Sequence, residues 1–155
     1  MRAASARACC LVLATLLAPL ALSGCAHFVV LHDPLTASEH NDLGVAYESK
    51  GQPALAAKEY RRALSIDSHQ SRAWVNLGNA HAAAGQWRAA EQSYRHALRE
   101  SPADADAMNN LAIALIRQER GRDEARALAL RAVAVGGERD SVYRATLAEV
   151  NGAAH

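Results

Sequence analysis

The 155-residue sequence contains few cysteines and few aromatic residues, and it has no excess of charge of either sign. Two of its three cysteines, Cys9 and Cys10, lie near the N-terminus, and only Cys25 lies beyond residue 24. Residues 25–155 therefore cannot form a disulfide among themselves. Seven aromatic residues and nine glycines argue against a β-sandwich or barrel. The 17 basic and 16 acidic residues nearly cancel, which argues against a nucleic-acid partner, because phosphates require a concentrated basic face.

Alanine is the residue that the sequence has in excess, with 36 copies among its hydrophobic positions. Alanine has the highest helix propensity and allows helices to approach closely. The composition therefore predicts an all-α fold of closely packed helices. The length allows one compact domain and excludes a large multidomain enzyme.

Residues 1–24 have the layout of a bacterial export signal. Arg2 and Arg7 form a basic start, an apolar run covers residues 8–22, and small residues follow at Ser23 and Gly24. The run is too short for a typical membrane span, which takes about 20 apolar residues. An uncleaved anchor, or a secretory signal followed by a chance cysteine, is the alternative interpretation.

The four residues Leu22-Ser23-Gly24-Cys25 resemble a bacterial lipobox. This resemblance implies that residues 1–24 are removed and that a lipid anchor is attached to Cys25. We expect no other covalent group. Residues 25–36 would then form a lipidated tether. Ala26, rather than Asp, follows the cysteine, which in enterobacterial lipoproteins is typical of outer-membrane sorting. We therefore expect a bacterial envelope protein that is lipid-anchored to the outer membrane and faces the periplasm, although other bacteria need not follow this rule.

A repeat of 34 residues organises the rest of the chain. When residues 37–70 are placed over residues 71–104, ten positions are identical. Within each copy the matched residues follow two helical stripes, separated by a glycine that can supply a turn. The matched pairs are Leu43/Leu77, Gly44/Gly78, Ala46/Ala80, Gly51/Gly85, Gln52/Gln86, Ala56/Ala90, Tyr60/Tyr94, Arg61/Arg95, Ala63/Ala97 and Leu64/Leu98.

This pattern resembles the tetratricopeptide repeat, a 34-residue helix hairpin. The clearest copy carries Trp74, Leu77, Gly78, Ala90, Tyr94, Ala97 and Pro102. The resemblance implies an α-solenoid of about three hairpins, at residues 37–70, 71–104 and a degenerate 105–138, where Gly121 arrives late. Residues 139–150 carry an apolar stripe at Tyr143, Leu147 and Val150, which predicts a capping helix.

The family resemblance also implies a binding site, because the first helices of stacked hairpins line a concave groove. Carried over by register, the candidate groove residues are Asn41, Val45, Arg72, Val75, Asn79, Asn109 and Ile113. Some family members hold a partner's C-terminal carboxylate in a clamp of basic and amide side chains. Only Asn76 fits that clamp in this sequence, so we do not expect this activity.

We expect no enzyme, no metal and no cofactor, because the sequence has no ligand spacing, phosphate loop or nucleophile motif. The preferred function is a membrane-tethered interaction module that holds a protein or peptide partner in the groove. It would act as a pilotin or assembly factor for a secretion, pilus or cell-wall system, with no nucleic acid and no small-molecule substrate. The alternative is a self-assembling structural homo-oligomer.

Overall fold

The computed structural model describes residues 33–152, which form seven helices and no strand. The predicted all-α solenoid is confirmed. The expected signal sequence, Cys25 and most of the expected tether lie outside the described residues. The helices are α1 (Ala37–Ser49), α2 (Pro53–Ile66), α3 (Ser71–Ala83), α4 (Trp87–Glu100), α5 (Ala105–Arg117), α6 (Arg122–Val135) and α7 (Asp140–Gly152).

Side-chain caps fix the N-terminal ends of α1 and α5, which are the first helices of hairpins one and three. Thr36 and Glu39 form a capping box at α1, in which the Thr36 hydroxyl accepts from Glu39 N at 3.2 Å. The Glu39 carboxylate accepts from Thr36 N at 2.7 Å. At α5 the Asp104 carboxylate accepts from Ala107 N at 2.9 Å. These caps satisfy backbone donors that have no partner within the helix.

Glycine allows the close crossing of the two helices in the first two hairpins. A Cβ atom added at Gly78 would lie 2.6 Å from Cδ1 of Tyr94, and one at Gly44 would overlap the ring of Tyr60 in the same way. The aromatic ring of the second helix therefore occupies the volume that a side chain on the first helix would need. In the third hairpin Ala112 and Ala129, both fully buried, replace the glycine and the tyrosine.

The turn of the third hairpin differs from the other two turns. Gly51 and Gly85 end the first helices of hairpins one and two with φ of 69° and 70°. The third turn contains one more residue, and Glu119 adopts a φ of 54° before Gly121 at 60°. The late glycine in the sequence therefore corresponds to a longer turn, in which a non-glycine residue takes a left-handed conformation.

The helices stack in chain order, and each second helix packs against the first helix of the next hairpin. Two clusters of buried apolar side chains result, one centred on α2 and α3 and the other extending from α3 to α7. Trp74 packs against both clusters and joins them. None of the helices in this part of the chain combines the length and the apolar character that a membrane crossing requires.

Helix α7 covers the C-terminal end of the stack, against α5 and α6. It buries Tyr143, Thr146 and Val150, while Leu147 is half-buried. The spacing of i, i+3 and i+7 directs one face of the helix onto the core. The side chains of α5 and α6 are thereby covered at the end of the solenoid.

The N-terminal hairpin contains a buried polar pair between its helices. His40 is 1% exposed and Glu59 is 5% exposed, and His40 Nδ1 lies 2.8 Å from Glu59 Oε2. The other ring nitrogen, Nε2, lies 3.3 Å from a carboxylate oxygen of Asp33. Arg62 donates to Glu59 from the solvent side. The pair gives the Glu59 carboxylate and His40 Nδ1 a partner that lowers the cost of their burial, whereas His40 Nε2 makes no hydrogen bond within the described residues.

Candidate functional site: the crevice between α3 and α5

A recess lies between the first helices of the second and third hairpins. It has two adjoining parts. The polar part, about 440 Å³, lies towards the N-terminal ends of α3 and α5. It is lined by Ser71, Arg72, Val75, Asn76, Asn79, Ser101, Asp104, Asp106, Asn110 and Arg139.

The apolar part of the crevice, about 340 Å³, continues towards the C-terminal ends of the same helices. Asn79 and Asn110 line both parts and so mark where the two parts meet. The space exists because α3 presents only methyl groups at Ala82 and Ala83. The remaining walls are Trp87, Tyr94 and Ile113, so this part is shaped to accept an apolar side chain.

A hydrogen-bond network fixes the amide groups at the junction. The Tyr94 hydroxyl and the Asn110 side-chain amide both donate to Asn79 Oδ1, each at 3.0 Å. Burial raises the pKa of Tyr94 above its ordinary value, so its hydroxyl remains a protonated donor. Asn79 Nδ2 donates to no group within residues 33–152 and lines the crevice as an available donor.

A second amide bridge links the first two hairpins. Asn76 Nδ2 donates to Asn41 Oδ1 at 2.9 Å. Asn76 is the residue that matched the carboxylate clamp, but its amide nitrogen is already used between helices. Its Oδ1 accepts from no group in the described part of the chain, which provides the crevice with an acceptor one helical turn before the donor of Asn79.

Charges at the polar end are arranged by α7 as well as by α3 and α5. Asp106 accepts from Arg139 at 2.7 Å and from the Tyr143 hydroxyl at 2.9 Å. Arg72 forms no ion pair with any residue between 33 and 152. Its guanidinium therefore remains available for a ligand at this end of the crevice.

Four of the predicted groove residues come together here. Arg72, Val75 and Asn79 line the polar part, and Asn79 and Ile113 line the apolar part. Val75 is 9% exposed and contributes only an edge to the wall. These four residues lie on α3 and α5, the two helices that form the crevice.

The expected placement of three other groove residues is corrected by the structure. Asn41 and Asn109 are 5% and 1% exposed, so neither lines an accessible surface. Asn41 is covered because α3 passes over it and donates to it through Asn76, and Asn109 is buried on α5. Val45 is 46% exposed on α1 but lies outside the crevice.

Sequence reasoning did not select Asn110, Trp87 or Arg139 as part of the site. Asn110 follows a predicted groove position and faces the neighbouring first helix, which a helical-wheel comparison of α3 with α5 could have indicated. Trp87 is the first residue of α4, and Arg139 lies in the turn between α6 and α7. No local pattern places such residues in the crevice.

The lining offers groups that can bind a ligand. Its side chains present amides, a guanidinium, carboxylates, hydroxyls and apolar surface. Across residues 33–152 no three His, Cys, Asp or Glu side chains are grouped to hold a metal ion. The crevice can therefore recognise a ligand by hydrogen bonds and apolar contact.

Three consecutive stretches match tetratricopeptide-repeat models, at residues 40–70, 71–104 and 105–138. Together they cover most of the chain, which belongs to the tetratricopeptide-repeat family. No curated protein sequence matches the chain.

Solved structures support the same fold. The first tetratricopeptide repeat domain of Spaghetti (RPAP3), bound to an HSP90 peptide, has a TM-score of 0.70 at 16% identity. The match covers 76% of this chain and 94% of that one. The Sgt2 domain of Aspergillus fumigatus has a TM-score of 0.70 at 19% identity, with 76% and 78% coverage. The Yersinia enterocolitica secretion chaperone SycD, in complex with a peptide of YopD, has a TM-score of 0.68 at 17% identity, with 76% and 94% coverage.

Proposed function

We propose that this protein is a non-catalytic interaction module that binds a segment of a partner protein in the crevice between α3 and α5. The observation that carries the proposal is the pair of adjoining cavities, one polar and one apolar, joined at Asn79 and Asn110. Two of the similar structures are complexes with peptides, which supports a peptide as the ligand class.

The dimensions of the crevice suit a short extended segment. Helix α3 has 13 residues and therefore spans about 20 Å at 1.5 Å per residue. About six residues of an extended peptide cover the same length at 3.3 Å each. Asn76 Oδ1 and Asn79 Nδ2 can accept from and donate to its backbone, while one apolar side chain enters the space beside Trp87.

The crevice can be tested by filling its apolar part. A photo-cross-linking residue at Ala83 should capture a partner in the native envelope, whereas the same residue at Ala127, on the outer surface of α6, should not. Affinity for the captured partner should then fall at least tenfold with Ala83→Leu and remain unchanged with Ala127→Leu. Capture only at residue 127 would move the binding surface to the outer helices and refute the crevice.

We further propose that the module is tethered to the bacterial outer membrane by a lipid on Cys25 and faces the periplasm. The support is the sequence Leu22-Ser23-Gly24-Cys25 at the end of an apolar run. Several acyl chains would hold the protein firmly, because each buried methylene contributes about 0.8 kcal/mol. In this role the protein would position its partner near the bilayer, as a pilotin or assembly factor does.

The anchor is tested with Cys25→Ser. The variant should accumulate as an unprocessed precursor that incorporates no labelled fatty acid, while the parent protein is processed and labelled. Density-gradient separation of the two membranes then shows where the parent protein is located. Normal processing and membrane partitioning of the variant would refute the lipid anchor without affecting the crevice.

A further inference from the structure

The first helices of the three hairpins present the same type of surface towards the N-terminal side of the stack. Residues 33–152 cover this surface on α3 and α5 but not on α1. In α3 and α5 the third, seventh and tenth residues are at most 5% exposed. In α1 the corresponding positions include an exposed alanine and a half-buried leucine. The three sets are Ala73, Leu77 and Ala80 in α3, Ala107, Leu111 and Ala114 in α5, and Glu39, Leu43 and Ala46 in α1.

A helix covers the interior copies of this surface. The second helix of the preceding hairpin, α2 or α4, packs against α3 or α5. From α2 the residues Ala57 and Leu64 share one core cluster with Leu77 and Ala80 of α3. The surface is therefore shaped for a helix that presents small and aliphatic side chains.

Among the described residues nothing takes this place on α1. Residues 33–36, which come directly before α1, contact its first turn, where Asp33 approaches His40. Leu43 and Ala46 thus remain at the surface although they are identical to the buried Leu77 and Ala80. Burial of this apolar surface would be favourable, and none of the described residues covers it.

The charges around the uncovered surface differ from those inside the stack. Helix α1 has no lysine or arginine, and its exposed acids are Glu39 and Asp42, whereas Glu48 accepts from the Tyr60 hydroxyl of α2. The covering helices have an excess of basic residues, with a lysine and two arginines against one glutamate in α2. A helix that covers α1 should therefore carry basic residues beside its apolar stripe.

We propose that the uncovered face of α1, formed by Glu39, Leu43 and Ala46, binds a basic amphipathic helix of a partner protein. The helix takes the place that α2 takes on α3, with its small and aliphatic stripe on Leu43 and Ala46 and its basic residues towards Glu39 and Asp42. An extended strand would bind less tightly, because strands associate through backbone hydrogen bonds. The backbone groups of α1 are already paired within the helix and cannot form them.

A second copy of this chain fits the surface poorly. Two α1 faces would bring like charges together. Head-to-tail stacking would need a free second helix at the other end of the solenoid, where α7 covers α5 and α6 instead. Helix α7 also carries Leu147 where the first helices carry Gly44, Gly78 or Ala112, so it leaves no space for the aromatic ring of another hairpin.

The test uses a helix that covers this kind of surface within the protein. The probe is the capped peptide of residues 87–100, the sequence of α4, added to the full chain. The methyl resonances of Leu43 and Ala46 should shift in a saturable manner. Ala46→Glu should weaken binding at least tenfold, while Ala127→Glu on the outer face of α6 should leave it unchanged. A peptide with its three arginines replaced by glutamate should bind at least tenfold more weakly.

Four results would overturn the proposal. The first two are no shift at millimolar peptide and equal binding by Ala46→Glu, each in a variant shown to be folded. The third is a concentration-dependent dimer of the full chain that Ala46→Glu dissociates, which would make a second copy the occupant. The fourth is protection of the Ala46 methyl from a soluble paramagnetic probe in the monomer, which would assign the surface to the chain itself.

Discussion

The two ends of the solenoid are built from the same repeat but are completed differently. At the C-terminal end α7 covers α5 and α6, and Tyr143 and Val150 are 4% and 1% exposed. At the N-terminal end no described helix covers α1, and the repeat residues Leu43 and Ala46 stay at the surface. The comparison shows that a repeat determines which residue occupies a position, whereas the neighbouring helix determines whether that residue is buried.

The interiors of the two end hairpins also differ. The N-terminal hairpin places His40 and Glu59 where its helices face each other, and the C-terminal hairpin has Met108 and Leu128 at the corresponding positions. A polar pair in the core provides direction and specificity but less net free energy than apolar packing. The open end is therefore the end that we expect to unfold first.

The largest effect is expected when the closed end is opened. Tyr143→Ala removes a buried aromatic ring, and such truncations lower the free energy of unfolding by about 3 to 5 kcal/mol. Chemical denaturation of the purified chain measures the loss. Tyr143→Phe is the matched control, because it keeps the ring and removes only the hydroxyl that donates to Asp106, at a cost of about 1 kcal/mol. Equal stability of the Ala variant and the parent would show that α7 does not close the stack.

A smaller effect is expected from the polar pair at the open end. Glu59→Leu leaves His40 Nδ1 buried without its partner, which should cost about 1 to 3 kcal/mol. The double change His40→Leu with Glu59→Leu removes both polar groups and should cost less than the sum of the two single changes. A double-mutant cycle in denaturant measures this coupling, and strictly additive losses would show that the pair makes no specific contribution.

Much of the fold could be predicted from the sequence, because the 34-residue period and the helical stripes are local signals. The glycines at Gly44 and Gly78 indicated close crossings, and the structure explains them by the rings of Tyr60 and Tyr94. The late Gly121 indicated an altered third turn. The sequence did not reveal that Glu119 adopts a positive φ there, since no residue type marks that strain.

The site was predicted less completely, for a geometric reason. Of the residues selected by register, Arg72, Val75, Asn79 and Ile113 line the crevice, whereas Asn109 is buried. A position in a single hairpin faces the groove or a neighbouring helix according to how the next hairpin or cap packs. That packing depends on contacts between residues about 34 apart, such as the one from Asn110 to Asn79, which local patterns do not contain.

The smallest predicted effect concerns the turn next to the closed end. Gly51 and Gly85 adopt their left-handed conformations without a steric penalty, whereas Glu119 holds a side chain at a φ of 54°. A left-handed conformation costs a residue with a Cβ atom about 1 to 2 kcal/mol. Glycine avoids this cost, but it also increases the conformational entropy of the unfolded chain, which offsets part of the gain in stability. Glu119→Gly should therefore raise the free energy of unfolding by about 1 kcal/mol, and Gly85→Ala should lower it by a similar amount. Thermal and denaturant unfolding of both variants measure the two shifts, and a loss of stability with Glu119→Gly would show that the third turn is not strained.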